Sequence, residues 1–386
     1  MDDRTRLIRS ATARPVNRRT VNPPVERGTT LLNARAADLR DETLGSVYGI
    51  DGAAAHRELR TLLAEMEGAH DCQIVSTGLA AVTVAVLSLV GPGDEVLVGD
   101  ACYWPTRRFF QRTLARLGAS VRYYPPRATA DDIEAMIGPE TRLILMESPG
   151  TATFEIQDVP AIAAMARRRG LRTIVDNTWA AGLLFKPVAH GADISVQALS
   201  KYVSGHSDVF GGAISCASAE VARLVGTTIE DLGLYVSPDD VWLMLRGLRT
   251  LPVRMAQHEA NARRVAEWLS ARPEVAEVLW PALPKSPDHA LWKRDFSGAS
   301  SLMAIVLKGG GRAGAEAMLD ALELFGMGFS WGGYESLATY EDSQLTVRAI
   351  APRLAGPLVR LHIGLESPDD LIADLQNGLK AFSSHA

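Results

Sequence analysis

The chain has 386 residues, of which 47% are hydrophobic and 22% charged, and its formal net charge is −5. This length and composition predict a large domain plus a smaller one, with a substantial apolar core. The small negative charge gives no basis for nucleic-acid or membrane binding, and no stretch approaches the roughly 20 apolar residues of a membrane-spanning helix.

The three cysteines, Cys72, Cys102 and Cys216, are odd in number and have no metal-ligand spacing. This pattern predicts free thiols in a reducing cytoplasm and no metal site. The N-terminus opens with Asp2-Asp3 and lacks the apolar core of a signal peptide. Residues 1–47 have little apolar periodicity, which is typical of a disordered tail or of an extended arm; we expect an arm that contacts a neighbouring subunit.

A large domain is predicted over residues 48–245. Its first helix spans 53–68, where leucine and methionine recur at helical spacing. A strand from Gln73 then leads into an apolar helix that opens at Gly78-Leu79. Backbone N–H groups at the start of such a helix can bind an anion such as phosphate, although this pattern alone more often marks an ordinary strand-to-helix turn.

Strands and helices alternate through the rest of the large domain. The predicted strands are 95–99, 120–124, 142–147, 172–175 and 194–198, with helices between most of them. This alternation predicts an α/β fold with a mostly parallel sheet, covered on both faces, that binds ligands at the carboxyl ends of its strands. Four polar residues follow predicted strand ends and are expected at one edge of the sheet: Tyr103, Glu147, Asp176 and Lys201.

A smaller C-terminal α+β domain is predicted over residues 246–386. A long helix over 239–269, bent near Pro252, leads out of the large domain. The strands predicted for the second domain are 274–280, 301–307 and 358–363, and its predicted helices are 313–324 and 368–382.

Lys201 has an unusual setting for a lysine. Most lysines are solvated surface charges, but Lys201 follows an apolar strand, and no other Lys or Arg lies between Lys186 and Arg223. Small residues on both sides, such as Ser200 and Gly205, leave room for a ligand beside the amine. A lysine in this setting is a candidate for Schiff-base formation.

A lysine, a strand-end carboxylate, an aromatic ring and a phosphate cradle together predict a site for pyridoxal 5'-phosphate (PLP). Lys201 would form the imine, and Asp176 would pair with the pyridine nitrogen so that the ring accepts electrons. Tyr103 would stack on the ring. The phosphate would be held by the N–H groups of Gly78 and Leu79 and by the hydroxyl of Ser200. A helix cap or ion pair for Asp176 and simple packing for Tyr103 are the competing structural interpretations.

These residues lie in motifs that resemble the Cys/Met-metabolism family of PLP enzymes, and the similarity covers nearly the whole chain after residue 47. The motifs include Tyr48-Gly-Ile-Asp-Gly, Val175-Asp-Asn-Thr-Trp-Ala-Ala-Gly182, Ser200-Lys-Tyr-Val-Ser-Gly-His-Ser-Asp208, Phe329-Ser-Trp-Gly-Gly-Tyr-Glu-Ser336 and Arg360-Leu-His-Ile-Gly-Leu-Glu366. The resemblance implies the aspartate-aminotransferase-like fold (fold type I) with a seven-stranded sheet. It also implies a homotetramer built from dimers that share active sites.

The resemblance implies a role for individual residues. Lys201 is similar to the family's Schiff-base lysine, Asp176 to the partner of the pyridinium, and Tyr103 to the ring-stacking tyrosine that orients or deprotonates the incoming amine. Arg360 is similar to the arginine that binds the substrate α-carboxylate, with a structural ion pair as the competing interpretation. The other implied contacts are Gly78, Leu79 and Ser200 with the phosphate, Tyr48 with the phosphate of a neighbouring subunit, and Ser330 and Trp331 on the carboxylate side.

Three positions distinguish this chain within the family. Ile50 stands where an arginine usually binds the phosphate, and the lost charge-assisted hydrogen bond contributes about 1.5–3 kcal/mol; His56 or Arg57 is a candidate replacement. Phe329 stands where the nearest relatives have tyrosine, which could alter substrate choice. Ala198 stands where γ-acting relatives usually have serine, which favours a β-acting lyase.

The resemblance implies β-elimination of L-cystathionine, or of a related cysteine S-conjugate, to homocysteine (or another thiol), pyruvate and ammonia. Such a reaction belongs to methionine biosynthesis and takes a small-molecule amino acid as substrate. A γ-lyase, a γ-synthase and a cysteine or cystine C–S lyase of the same family remain alternatives. A weakly active PLP-binding protein is an alternative of another class, suggested by Ile50.

Overall fold

A computed structural model describes residues 2–9, 20–41 and 46–384. The strands are β1 (Asp71–Val75), β2 (Glu95–Gly99), β3 (Ser120–Tyr124), β4 (Thr141–Glu147), β5 (Arg172–Asp176), β6 (Ile194–Ala198), β7 (Gly212–Cys216), β8 (Val275–Leu279), β9 (Leu302–Leu307), β10 (Gly326–Met327), β11 (Leu337–Tyr340) and β12 (Leu358–His362). The helices are α1 (Asp3–Ile8), α2 (Ala54–Glu67), α3 (Gly78–Leu87), α4 (Trp104–Phe109), α5 (Ala130–Glu134), α6 (Val159–Arg168), α7 (Ala219–Asp231), α8 (Pro238–Arg249), α9 (Leu251–Ser270), α10 (His289–Asp295), α11 (Gly311–Asp320), α12 (Ser343–Thr346) and α13 (Pro368–Ser383). Within these ranges, no helix has the length and apolar character needed to cross a bilayer.

The first seven strands form one sheet, in the order β1-β7-β6-β5-β4-β2-β3. β7 is antiparallel to both of its neighbours, and all other pairs are parallel. Apolar residues of α2 and α6 pack in one core cluster and those of α3 and α7 in another, so helices cover both faces. The predicted α/β class and the mostly parallel seven-stranded sheet are confirmed.

β4 shows why these strands are continuous apolar runs. Leu143 and Leu145 pack in the core cluster on one face of the sheet, and Ile144 and Met146 pack in the cluster on the other face. Since side chains alternate along a strand, a strand buried on both faces needs an apolar residue at every position. The run ends at Glu147, where the strand reaches the edge that carries the site.

The remaining five strands form a second sheet, in the order β10-β11-β12-β9-β8. Its pairs are antiparallel except for β10 with β11. The helix expected over 239–269 is two helices, α8 and α9, separated at Thr250, because Pro252 occupies the first turn of α9 and cannot continue a preceding helix. The boundary expected between residues 245 and 246 therefore falls within α8, and the division into domains stays a prediction.

Residues 3–8 differ from the extended arm expected over 1–47. They form α1, whose Leu7 is fully buried in the core of its own chain. Lys186 Nζ lies 2.6 Å from Asp3 Oδ2, and Arg249 Nη1 donates to the Leu7 carbonyl at 2.7 Å. The start of the arm is thus docked on its own subunit, and Arg27 of the later part pairs with Asp239. Residues 10–19 and 42–45 of the expected arm lie outside the described residues.

Candidate active site

The four residues expected at one edge of the large sheet lie together. Glu147 and Asp176 end the neighbouring strands β4 and β5 and are partners in their register. The backbone N–H of Tyr103 donates to Glu147 Oε2 at 2.7 Å. Lys201 follows β6, and its charge interacts with that of Asp176. The parallel topology predicted from the sequence therefore brings these residues to one place.

The amine of Lys201 is held in a largely desolvated position. Its Nζ donates to Ser330 Oγ at 2.6 Å and lies 5.3 Å from the centre of the Trp331 ring. Burial lowers the pKa of Lys201 to about 8, and the positive charge of Arg360 lowers it further while Asp176 opposes the shift. With this pKa a minority of the amine, about a fifth near pH 7.4, is neutral and able to transfer a proton or attack as a nucleophile, far more than in a free lysine.

The loop that carries Ser330 and Trp331 lies against the backbone of Lys201 because of a glycine. Gly332 has a φ of 88°, and a Cβ there would lie 2.7 Å from the Tyr202 nitrogen and 2.9 Å from the Lys201 carbonyl carbon. Any other residue would push the loop away from the lysine. The loop is further fixed by a hydrogen bond of 3.1 Å from the Gly332 N–H to Nε2 of the buried His362.

Asp176 is oriented by Thr178. The Thr178 N–H and hydroxyl both donate to Asp176 Oδ1, at 3.0 and 2.5 Å. The hydroxyl also accepts the Ala198 N–H at 3.0 Å, which ties it to β6. Burial raises the pKa of Asp176, while Thr178 and Lys201 lower it. Among the described residues, we find no hydrogen bond to Asp176 Oδ2.

Glu147 accepts hydrogen bonds from the segment that carries Tyr103 and from Thr151. Its Oε1 accepts the hydroxyl of Thr151 and its Oε2 accepts the Tyr103 N–H. Burial, followed by the charge of Asp176, raises its pKa. Tyr103 begins α4 with 42% of its surface exposed, and burial followed by Glu147 raises the pKa of its phenol. The ring is thus available to a ligand at this edge.

The start of α3 lies beside the end of β6. Thr77 caps the helix by accepting the Ala80 N–H at 3.0 Å, and for the N–H groups of Gly78 and Leu79 we find no acceptor in the described part of the chain. A Cβ on Gly78 would lie 2.4 Å from the Cβ of Ala198, so glycine lets the two backbones approach. Ser200 Oγ accepts the Gly211 N–H at 3.1 Å near this end.

Arg360 joins the lysine end of the site from β12. Its Nη2 donates to the Ser330 carbonyl at 3.3 Å, so Arg360 and Lys201 contact the same residue. Its Nη1 lies 3.3 Å from Glu341 Oε1. The guanidinium therefore borders the Lys201 amine, in a position suited to a carboxylate of a small ligand.

Tyr48 makes no hydrogen bond or ring contact with this cluster among the described residues. It begins a 3₁₀ turn whose Asp51 Oδ2 accepts the Tyr48 N–H at 3.0 Å, and 53% of its surface is exposed. Ile50 in the same turn is also exposed. His56 cannot replace the missing arginine, because it is buried, with Nδ1 bonded to the Ala53 N–H and Nε2 to the Val236 carbonyl. Arg57 is exposed and stays a candidate.

The residues present fit PLP. The first N–H groups of α3 suit a phosphate. The buried Asp176 carboxylate, with no hydrogen bond to Oδ2 among the described residues, suits a ring nitrogen that carries a proton, and an amine with a lowered pKa suits an aldehyde. The residues that would hold the cofactor are Lys201, Asp176, Tyr103, Gly78, Leu79 and Ser200.

Sequence reasoning missed several supporting residues. Thr178 lies within a motif that marked Asp176, and its spacing of two residues could have indicated the hydrogen bond. Glu341 had no such signal, because its pairing with Arg360 depends on strand register. The same holds for Gln344, whose Oε1 accepts the Trp104 N–H at 3.2 Å beside Tyr103.

Comparison with known proteins gives a consistent result. The family model for Cys/Met metabolism PLP-dependent enzymes matches residues 4–380. Cystathionine β-lyase of Bordetella avium is 42% identical over 93% of this chain and 92% of its own length, and that of Escherichia coli is 38% identical over 97% of each chain. The crystal structure of cystathionine γ-synthase from Xanthomonas oryzae, in complex with aminoacrylate and cysteine, has a TM-score of 0.92 and 30% identity, with 100% of both chains covered.

Proposed function

We propose that this chain, which belongs to the Cys/Met metabolism PLP-dependent enzymes, cleaves L-cystathionine, or a related cysteine S-conjugate, by β-elimination. Its relatives and structural neighbours make it a PLP-dependent carbon–sulfur lyase with the type I fold. The products are homocysteine (or another thiol), pyruvate and ammonia. The observation that carries this proposal is the largely desolvated Lys201 amine, which donates to Ser330 Oγ at 2.6 Å and interacts electrostatically with both Asp176 and Arg360.

The chemistry that PLP supplies when bound is withdrawal of electrons from the α-carbon of the amino acid. Lys201, whose lowered pKa leaves part of its amine neutral, would take the α-proton. Arg360 binds the α-carboxylate, and Ser330 and Trp331 line that side. Asp176, oriented by Thr178, would hold the ring nitrogen of the cofactor. Tyr103 would orient the incoming amine and, with Lys201, would return a proton to the leaving thiolate.

Two observations favour β-elimination over γ-chemistry. The β-lyases compared are 42% and 38% identical to this chain, whereas the L-methionine γ-lyase of Pseudomonas putida is 34% and the γ-synthase 30% identical. The resemblance implies a serine in γ-acting relatives at the position of Ala198, which lies against Gly78 at the start of α3. The γ-synthase similarity supports a γ-acting enzyme as the second candidate, and a cysteine or cystine C–S lyase and a weakly active PLP-binding protein stand behind it.

Product analysis separates these candidates. The purified enzyme is given L-cystathionine, L-cystine, L-cysteine and L-methionine, and the keto acid formed from each is identified. We expect the highest kcat/KM with L-cystathionine and pyruvate as its keto acid. If the main keto acid is 2-oxobutyrate, the reaction is γ-elimination. If PLP is bound but no substrate is turned over, the chain is a PLP-binding protein.

We further propose a cytoplasmic homotetramer in which Tyr48 reaches the phosphate of a neighbouring subunit. Three unpaired, buried cysteines support the reducing compartment. Tyr48 is exposed and, among the described residues, makes no hydrogen bond or ring contact with its own site, which supports a role across an interface. Size-exclusion chromatography with light scattering measures the mass of the assembly, and we expect four copies of a 41.6 kDa chain.

A further inference from the structure

Glu341 forms a buried ion pair with Arg360. The distance between Arg360 Nη1 and Glu341 Oε1 is 3.3 Å, and the exposed fractions of the two side chains are 13% and 3%. A buried charge is strongly destabilising unless an opposite charge compensates it. The guanidinium that faces the Lys201 loop therefore has an anionic partner within the chain.

The pair is built by the register of the second sheet. Thr339 of β11 lies opposite Arg360 of β12. Glu341 is two residues beyond Thr339, so its side chain is on the same face and diagonal to Arg360, within reach of two long side chains. The Thr339 hydroxyl donates to Glu341 Oε1 at 2.8 Å, and the Glu341 N–H donates to the Leu358 carbonyl at 3.0 Å. Both the backbone and the carboxylate of Glu341 are therefore fixed.

The two ends of the guanidinium have different neighbours. Nη1 faces Glu341, and Nη2 donates to the Ser330 carbonyl, whose residue also accepts the Lys201 amine through Oγ. Burial lowers the pKa of Arg360, and the charge of Glu341 opposes that shift. Glu341 thus attracts the same positive charge that a ligand carboxylate would use.

We propose that Glu341 is a specificity-determining residue that weakens the attraction of Arg360 for the carboxylate of amino acid ligands. The proposal rests on the proposed function, because it takes Arg360 as the carboxylate-binding residue. A ligand carboxylate meets a guanidinium whose charge Glu341 already offsets, and the two carboxylates repel each other across it. Acids therefore bind more weakly, and are released more readily, than an unpaired arginine would allow.

The test is calorimetric binding of glycine to the PLP-loaded enzyme, because glycine has no β-carbon and cannot undergo elimination. In Glu341→Gln, we expect the Kd for glycine to fall about tenfold, a change of the size that a charge at this separation produces. The Kd for glycinamide, which lacks the carboxylate, should not change. Glu335→Gln is the matched control, since Glu335 is a carboxylate in the same part of the chain but accepts the Ser207 hydroxyl at 2.5 Å instead of facing Arg360.

An unchanged or higher Kd for glycine in folded Glu341→Gln, or an equal gain in Glu335→Gln, overturns the proposal. Should the glutamine variant fail to fold, Glu341→Met supplies a second neutral side chain of similar length, with the same gain expected. Arg360→Lys separates this proposal from the proposed function. A glycine Kd unaffected in Arg360→Lys shows that the carboxylate assignment of Arg360 is wrong, whatever the result at Glu341.

Discussion

The lysine end and the phosphate end of the candidate site differ in how much of each a single chain supplies. At the lysine end, Lys201, Ser330 and Arg360 are connected by hydrogen bonds within the chain. At the phosphate end, the chain supplies mainly the N–H groups at the start of α3, while Tyr48 and Ile50 are 53% and 42% exposed. The comparison teaches that folding of one chain is enough to bring the proposed reacting groups together, whereas the proposed phosphate contact from Tyr48 is not made within its own chain.

The largest expected effect comes from removing the amine at the lysine end. Lys201→Ala should lower kcat for elimination by at least about 10³-fold, because both the bond to the cofactor and the proton transfer use this amine. The visible absorbance of the bound cofactor should also change. Lys186→Ala, which removes a lysine that pairs with Asp3, is the control and should keep kcat within about twofold. Elimination by Lys201→Ala at the wild-type rate would show that the site is elsewhere.

The titration of Lys201 tests whether the fold alone prepares the lysine end. In the cofactor-free enzyme, labelling of Lys201 by an amine-specific reagent should be half-maximal near pH 8, more than two pH units below the value of 10.5 for a free lysine. Between these pH values the unfolded chain binds more protons at this residue than the folded chain, so its contribution to stability rises with pH through that window. Peptide mass spectrometry measures the labelling.

The neighbours of Lys201 should shift this midpoint in opposite directions. Arg360→Gln removes a positive charge and should raise the midpoint pH, whereas Asp176→Asn removes a negative charge and should lower it. A midpoint near 10.5 in the wild-type protein would contradict a prearranged amine.

Asp176→Asn should lower kcat by about 10²-fold, since it removes the carboxylate proposed to pair with the ring nitrogen of the cofactor. Thr178→Val keeps the charge and removes the hydroxyl that fixes Asp176 Oδ1, so its loss should be smaller, about tenfold. Stopped-flow and steady-state measurements of pyruvate formation give both values. A loss in Thr178→Val as large as that in Asp176→Asn would show that orientation matters more than charge.

The prediction for the phosphate end concerns the affinity for the cofactor rather than turnover. Ile50→Arg should lower the Kd for PLP about tenfold, because it adds a charge-assisted hydrogen bond to the phosphate. Equilibrium dialysis with the cofactor-free enzyme measures the change. Val47→Arg adds the same charge to a nearby exposed position and is the matched control. An equal gain in both variants would indicate a general effect of charge rather than a contact at position 50.

The elements that depend on local sequence patterns could be predicted from the sequence. β6 and Lys201, and β5 with Asp176, follow from apolar runs that end in a polar residue. β7 was not predicted as a strand, because Gly212–Cys216 mixes glycine and serine with apolar residues. Its place between β1 and β6 depends on tertiary pairing. Glu341 was missed because strand register, rather than chain spacing, brings it to Arg360.

The central claim, that the site performs β-elimination, is tested most directly with L-cystathionine carrying ¹³C only in its three-carbon half. β-Elimination leaves the label in pyruvate and yields unlabelled homocysteine, and this is the result that we predict by NMR of the product mixture. Labelled cysteine together with unlabelled 2-oxobutyrate would contradict it and would assign the enzyme to γ-elimination.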